Sequence, residues 1–108
     1  MIYERRTYTC MPGKMPEVLD RFERHVLPLW QEHGYRQIGF WTELIGDHSR
    51  RLHYILSWNG LAERETKTKA FADDPRWLRV RQDTEKGGPL VERVSTAILT
   101  PTVFSALQ

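Results

Sequence analysis

The stretch NGLAERETKTKAFADDPRW, residues 59–77, decides how the rest of the chain is read. Three readings compete for its charges: a basic strip for an acidic partner, a flexible linker, or the outer face of a helix. The alternation of sign favours the helix. Glu63 with Lys67 and Glu65 with Lys69 are acid-before-base pairs four apart, an orientation that supports a helix by roughly 0.3 kcal/mol per pair. Asn59 stands where a cap belongs, and Glu63 and Glu65 fall in early turns, where the helix dipole favours negative charge. Leu61, Ala62, Ala70 and Phe71 are left to face inward. Asp74 then caps again, Pro75 takes a first helical position, and Trp77, Leu78 and Val80 carry apolar surface. The run therefore predicts a solvated helix face, a joint and a second helix.

Upstream, residues 52–58 and 35–45 are rich in aromatic and β-branched side chains and read as strands. Gly46-Asp47-His48-Ser49 between them supplies turn chemistry, so the two should pair as a hairpin. Residues 2–9 alternate and form a first strand, followed by the punctuation MPGKMP at 11–16. From Pro16 onward Val18, Leu19, Phe22, Val26, Leu29 and Trp30 make one helical stripe, which Gly34 ends as a left-handed cap. Pro28 conflicts with that helix, because it lacks an N–H and crowds the carbonyl of Arg24. A kink or a helix in two pieces is expected. Downstream, Gly87-Gly88-Pro89 stops the helical region, residues 91–100 form a fourth strand, and 101–108 read as a tail. The whole of 1–108 is expected to be one domain.

The order strand, helix, strand, strand, helices, strand folds as two right-handed βαβ halves. That predicts an α+β, ferredoxin-like βαββαβ fold, with a four-stranded antiparallel sheet and helices on one face. A sheet open to water on its other face should alternate cleanly between apolar and polar residues. Here Ile38, Phe40 and Leu44 oppose Tyr35, Trp41 and Ile45, while Leu52, Tyr54, Leu56 and Trp58 oppose His53, Ile55 and Ser57. Val91, Ala97 and Leu99 likewise oppose Val94 and Ile98. Apolar surface on both faces calls for a cover on both, so a homodimer through the sheet face, a dimeric α/β barrel, is expected.

The bulk numbers suit a soluble globular chain: 108 residues, 40% hydrophobic and 28% charged. Net charge is +2, from 16 Lys and Arg interspersed with 14 Asp and Glu, which leaves no clustered footprint for nucleic acid. No apolar run approaches a membrane span, and the N-terminus MIYERRTYT has no apolar core of a secretory signal. A single cysteine, Cys10, suits a reducing compartment. A cytoplasmic location is expected.

Several blocks in order resemble the NIPSNAP family. YERRTYTCMPGK at 3–14 is similar to the strand and turn that open its domain. Leu61-Ala62-Glu63-Arg64-Glu65 resembles its L-x-x-R-E element, and Pro89-Leu90-Val91 with the ending from Thr100 to Gln108 resembles its closing strand and tail. The family's third strand usually carries H-x-W-x-Y. Tyr54, Leu56 and Trp58 stand there instead, with His53 one place earlier on the opposite face. The resemblance implies a dimeric α+β barrel, of the superfamily that also holds cofactor-free monooxygenases and lactone isomerases. Animal members of the family are associated with mitochondria. No such presequence is read in MIYERRTYT, so that location is not expected of this chain.

Residue chemistry offers modest leads. The four histidines lack the short spacings of a metal site, so no metal and no cofactor are expected. His53 and His33 are the candidates for a general base, each also readable as a strand-surface or helix-end residue. Cys10 has no sequence-evident base, and no serine lies in a nucleophile elbow. Trp30, Trp41, Tyr54, Trp58 and Trp77 are expected to line a pocket between sheet and helices or to pack as core, with Arg6 and Arg64 as anion-orienting or bridging cations. Two functions follow. One is a dimeric domain that binds a small lipophilic or aromatic molecule or serves in interactions. The other is a cofactor-independent enzyme, monooxygenase- or isomerase-like, acting on a small aromatic or lactone-like substrate.

Overall fold

Four strands, β1 (Ile2–Cys10), β2 (Arg36–Thr42), β3 (Arg51–Trp58) and β4 (Val91–Leu99), form one antiparallel sheet in the order β2-β3-β1-β4 in the computed structural model, which describes residues 1–108. Helices α1 (Met15–Arg21) and α2 (Leu27–Glu32) cross from β1 to β2, and α3 (Leu61–Ala72) and α4 (Pro75–Thr84) cross from β3 to β4. This is the ferredoxin-like βαββαβ arrangement. The predicted β2–β3 hairpin forms, with Phe40 opposite Tyr54 and Trp41 opposite His53.

The first crossover resolves the conflict at Pro28. Between α1 and α2 the residues Phe22–Val26 adopt a π turn, and the Leu27 N–H reaches the Phe22 carbonyl five residues back. One wide turn ahead of the proline takes up the hydrogen-bond register that its ring and missing donor disturb. The helix continues in two pieces and ends at Gly34, whose φ of 78° is the left-handed cap expected.

The second crossover departs from its sequence reading. Gly60, not Asn59, is the cap residue of α3. Glu63 turns back instead and accepts the Asn59 N–H at 2.8 Å. Of the two predicted pairs, Glu63–Lys67 forms at 3.1 Å, while Lys69 goes to Asp73 at 2.7 Å rather than to Glu65. The face of α3 turned inward is also not the apolar one. Leu61, Ala62 and Ala70 are exposed, and Glu63, Arg64, Lys67 and Thr68 are half-buried beside Phe71. The reason lies beneath the helix: Arg36, Glu4 and the Gly34 carbonyl offer partners at 2.7, 2.9 and 2.9 Å to Glu63, Arg64 and Lys67. The joint itself behaves as predicted, since Asp74 caps α4 by accepting the Arg76 N–H at 2.9 Å and Pro75 follows it.

Strand register sets the two faces of the sheet. Glu4, Arg6 and Tyr8 pair with Leu56, Tyr54 and Leu52 and face the helices. With Val18, Phe22, Val26 and Trp30 these β3 residues enclose the core. The irregularity between Gln37 and Gly39 reverses part of the β2 pattern. Tyr35 therefore lies on the helix side, stacked on Trp30 at 4.8 Å, while Trp41 lies on the open face. Leu44 and Ile45 fall beyond the strand in an exposed loop. The open face is more mixed than expected: Trp41, Ile55, Ala97 and Leu99 share it with Arg5, Thr7, His53 and Ser95. Val94 and Ile98 sit on the helix side, partly uncovered at the β4 edge. The tail folds back, with the Tyr3 hydroxyl donating to the Gln108 carbonyl at 2.7 Å. No helix is long and apolar enough to cross a membrane.

Candidate functional site

A cavity of about 440 Å³ opens between the sheet and the helices. The period of two along β1 puts Glu4, Arg6 and Tyr8 on its floor. The π turn contributes Phe22 and Val26, and α2 contributes Trp30. Tyr35, Phe71 and Trp77 complete an aromatic wall, and Arg21, Arg81 and Glu85 rim it. π turns recur at functional sites because they reorient side chains that a regular turn would hold in line. Here the wide turn carries Phe22 to within 5.6 Å of the Tyr8 ring and 5.7 Å of the Trp30 ring. Trp30 stacks on Tyr35 and Phe71 on Trp77, at 4.8 and 5.1 Å, so the wall is built from paired rings.

The charges lining this space are mostly spent on one another. Glu4, 1% exposed, accepts from Trp58 Nε1 at 3.0 Å and from Arg64 at 2.9 and 3.2 Å. Glu85 accepts from Arg21 at 3.1 Å and Arg81 at 3.2 Å, and the Arg21 guanidinium lies over Trp77. Arg6 differs. Its nearest carboxylate oxygen, on Glu4, is 3.9 Å away, and its buried Nε meets no acceptor. The guanidinium rests over the rings of Tyr8 and Tyr54, at 5.5 and 5.9 Å. Burial works against its charge, but Tyr54, Tyr8 and Glu4 outweigh burial, and its pKa is raised. Trp30 Nε1 is the second buried N–H without a partner. Burial, with Glu4 adjacent, pushes the Tyr35 phenol well above the usual tyrosine value.

Of the residues singled out from sequence, Trp30, Trp77 and Arg6 line the cavity. Tyr54 and Trp58 lie fully buried beneath it, and Arg64 reaches it only through Glu4. Trp41 is on the opposite face of the sheet, 49% exposed. Neither histidine enters the cavity. His33 closes α2 and bonds Asp74 at 2.8 Å, tying the helix end to the α3–α4 joint. His53 lies on the open face, where Nε2 donates to the Glu43 carboxylate at 2.8 Å and Nδ1 lies 3.2 Å from the Thr7 hydroxyl. That bond from His53 holds the Glu43 carboxyl below its ordinary value. Cys10 is buried 3.8 Å from the Met15 sulfur, and burial pushes its thiol up, away from the reactive thiolate. No group of three or more His, Cys, Asp or Glu converges to hold a metal. Glu4, Tyr8 and Tyr35, with Arg21, Arg81 and Glu85 at the rim, are among the cavity residues that the sequence reading did not single out. The signal for the first two was the period of two through Arg6.

A ferredoxin-like α+β domain with an aromatic-walled cleft above the sheet is thus the class to which this chain belongs. The same fold occurs in a putative antibiotic biosynthesis monooxygenase from Nitrosomonas europaea, at a TM-score of 0.64 and 11% identity over 94% of this chain and 98% of that one. More specifically, the chain belongs to the NIPSNAP family, whose profile it matches over residues 3–106. It is 31% identical to human Protein NipSnap homolog 3A over 71% of its length and 32% identical to Protein NipSnap homolog 1 of Danio rerio over 99%. It spans about a third of the length of these relatives, 30% and 36% respectively. A NIPSNAP family protein from Agrobacterium tumefaciens superposes with a TM-score of 0.87 at 27% identity, covering 99% of this chain and 98% of that one.

Proposed function

We propose that this NIPSNAP domain binds a small planar, lipophilic molecule in the cleft between sheet and helices, and that it does so as a homodimer joined through the open face of the sheet. The cavity carries the reading: about 440 Å³ walled by Tyr8, Phe22, Trp30, Tyr35, Phe71 and Trp77 is within the size range of small-molecule sites. A core meant only for packing would close on itself, because protein interiors leave few voids larger than a water molecule. The dimer rests on the exposed Trp41 and Leu99 beside Ile55 and Ala97, apolar surface that the chain's own helices leave uncovered. Binding ranks ahead of turnover. The fold is shared with a putative monooxygenase, yet no histidine borders the cleft and both of its carboxylates are engaged by arginines.

The test is direct. Native mass spectrometry of freshly purified protein should release a copurified small molecule, and titration with 2-naphthamide should quench tryptophan fluorescence through Trp30 and Trp77. A preparation with no bound molecule and no response to the probe at millimolar concentration would remove the reading.

A further inference from the structure

Resting on the cleft as the binding site, we infer that its ligand is an aromatic carboxylic acid, held by its carboxylate on Arg6 with its ring against the Trp30–Tyr35 wall. Five charged residues line the cleft: Glu4, Arg6, Arg21, Arg81 and Glu85. Glu4 is matched by Arg64, and Glu85 by Arg21 and Arg81. Arg6 remains, with a single positive charge that no protein carboxylate approaches closer than 3.9 Å. Its side chain keeps 29% of its surface accessible on the cavity wall, whereas its Nε is enclosed and unpaired. A half-buried guanidinium resting over two tyrosines and left without a hydrogen-bond acceptor is a fork awaiting one, and carboxylate is the group whose two oxygens match that fork.

Two further observations narrow the class. Trp30 Nε1 is also enclosed and unpaired, and it too lies on a residue lining the cleft. Buried indole N–H groups ordinarily find a partner, so this cleft residue too holds a donor without an acceptor. The stacked rings on the wall select a flat body over a flexible chain.

Calorimetric titration with 2-naphthoate and its neutral isostere 2-naphthamide at pH 7.5 tests this. The carboxylate should bind at least about tenfold tighter, the size expected of a hydrogen bond to a charged group, and the ratio should shrink as salt rises. In Arg6→Gln the ratio should collapse to about one, with circular dichroism confirming the fold. Should that variant not fold, Arg6→Lys, which keeps the charge and loses the fork, should lower the ratio instead, and an unchanged ratio there overturns the role of Arg6. Equal affinity for acid and amide overturns the carboxylate inference and leaves the cleft as a binding site. An acid preference that survives in Arg6→Gln overturns the role of Arg6. Binding of neither compound overturns both this inference and the reading beneath it.

Discussion

The two faces of the sheet use the same strands for opposite ends. On the helix side, Leu52, Tyr54, Leu56 and Trp58 are fully buried, and the polar groups among them are held in fixed pairs such as Glu4 with Arg64. On the open side Arg51, His53 and Ile55 remain half-exposed and share the face with Arg5, Thr7 and Ser95, while Ser57 is buried. Alternation along one strand thus separates a region that carries stability from one left free for contact. The lesson is that a charge on the buried side needs a stated partner, whereas a charge on the open side has water. Arg6 is the exception on the buried side, and it is there that the binding site is proposed.

Neighbouring substitutions on β3 probe this contrast most strongly. Leu56→Ala should cost about 3 kcal/mol by leaving a cavity in the core, while Ile55→Ala, one residue along on the open face, should cost about 1 kcal/mol. Urea denaturation of both would measure it, and equal losses would erase the distinction between the faces. Next in size, Arg64→Met should cost about 2 kcal/mol by stranding the Glu4 carboxylate, softened because the guanidinium is partly solvated. Adding Glu4→Gln should recover most of that loss, since the amide oxygen still accepts from Trp58; no recovery would mean that Arg64 acts through packing alone.

A test of the open face comes third. Trp41→Ala should weaken self-association about tenfold, or 1.4 kcal/mol, as read by sedimentation velocity over a dilution series, with little change in the helix-side core. Wild-type protein that sediments as a 12.8 kDa species at every concentration would exclude the dimer. The smallest effect concerns acid. Hydrogen bonds from Arg36, the Asn59 N–H and Lys67 lower the Glu63 carboxyl from 4.5 to about 2. A depressed carboxylate contributes stability that is complete above pH 4.5 and is lost as pH falls through about 2. Glu63→Gln should therefore flatten the decline of Tm across that window, and an unchanged slope would show that the α3 ion pairs do not couple to folding.

Much of the fold was legible from local chemistry. Gly34 and Asp74-Pro75 behave as their backbone preferences dictate, because caps are decided within a few residues, whereas the tight turn expected at Gly46–Ser49 is part of a longer loop between Thr42 and Arg51. Pro28 likewise announced a discontinuity, although not that it would take the form of a π turn. The inward face of α3 was misread. Helical spacing ranks residues by hydrophobicity, but Glu63, Arg64 and Lys67 turn inward toward partners from other elements. The faces of β2 were misread for a related reason: the irregularity at Gln37–Gly39 inverts the period of two, and Gly39, a glycine inside a strand, was the local mark of it. Hence Tyr35 lines the cleft and Trp41 does not.

By itself the sequence determined the order of elements, the antiparallel βαββαβ layout and the family, all of which follow from periodicity, turn chemistry and blocks of consecutive residues. Tertiary structure alone decided which charges are satisfied. Arg6 and Arg64 look equivalent along the chain, yet only packing brings Arg64 to Glu4 and leaves Arg6 facing an aromatic cleft, because ion pairing depends on distances between segments some 60 residues apart.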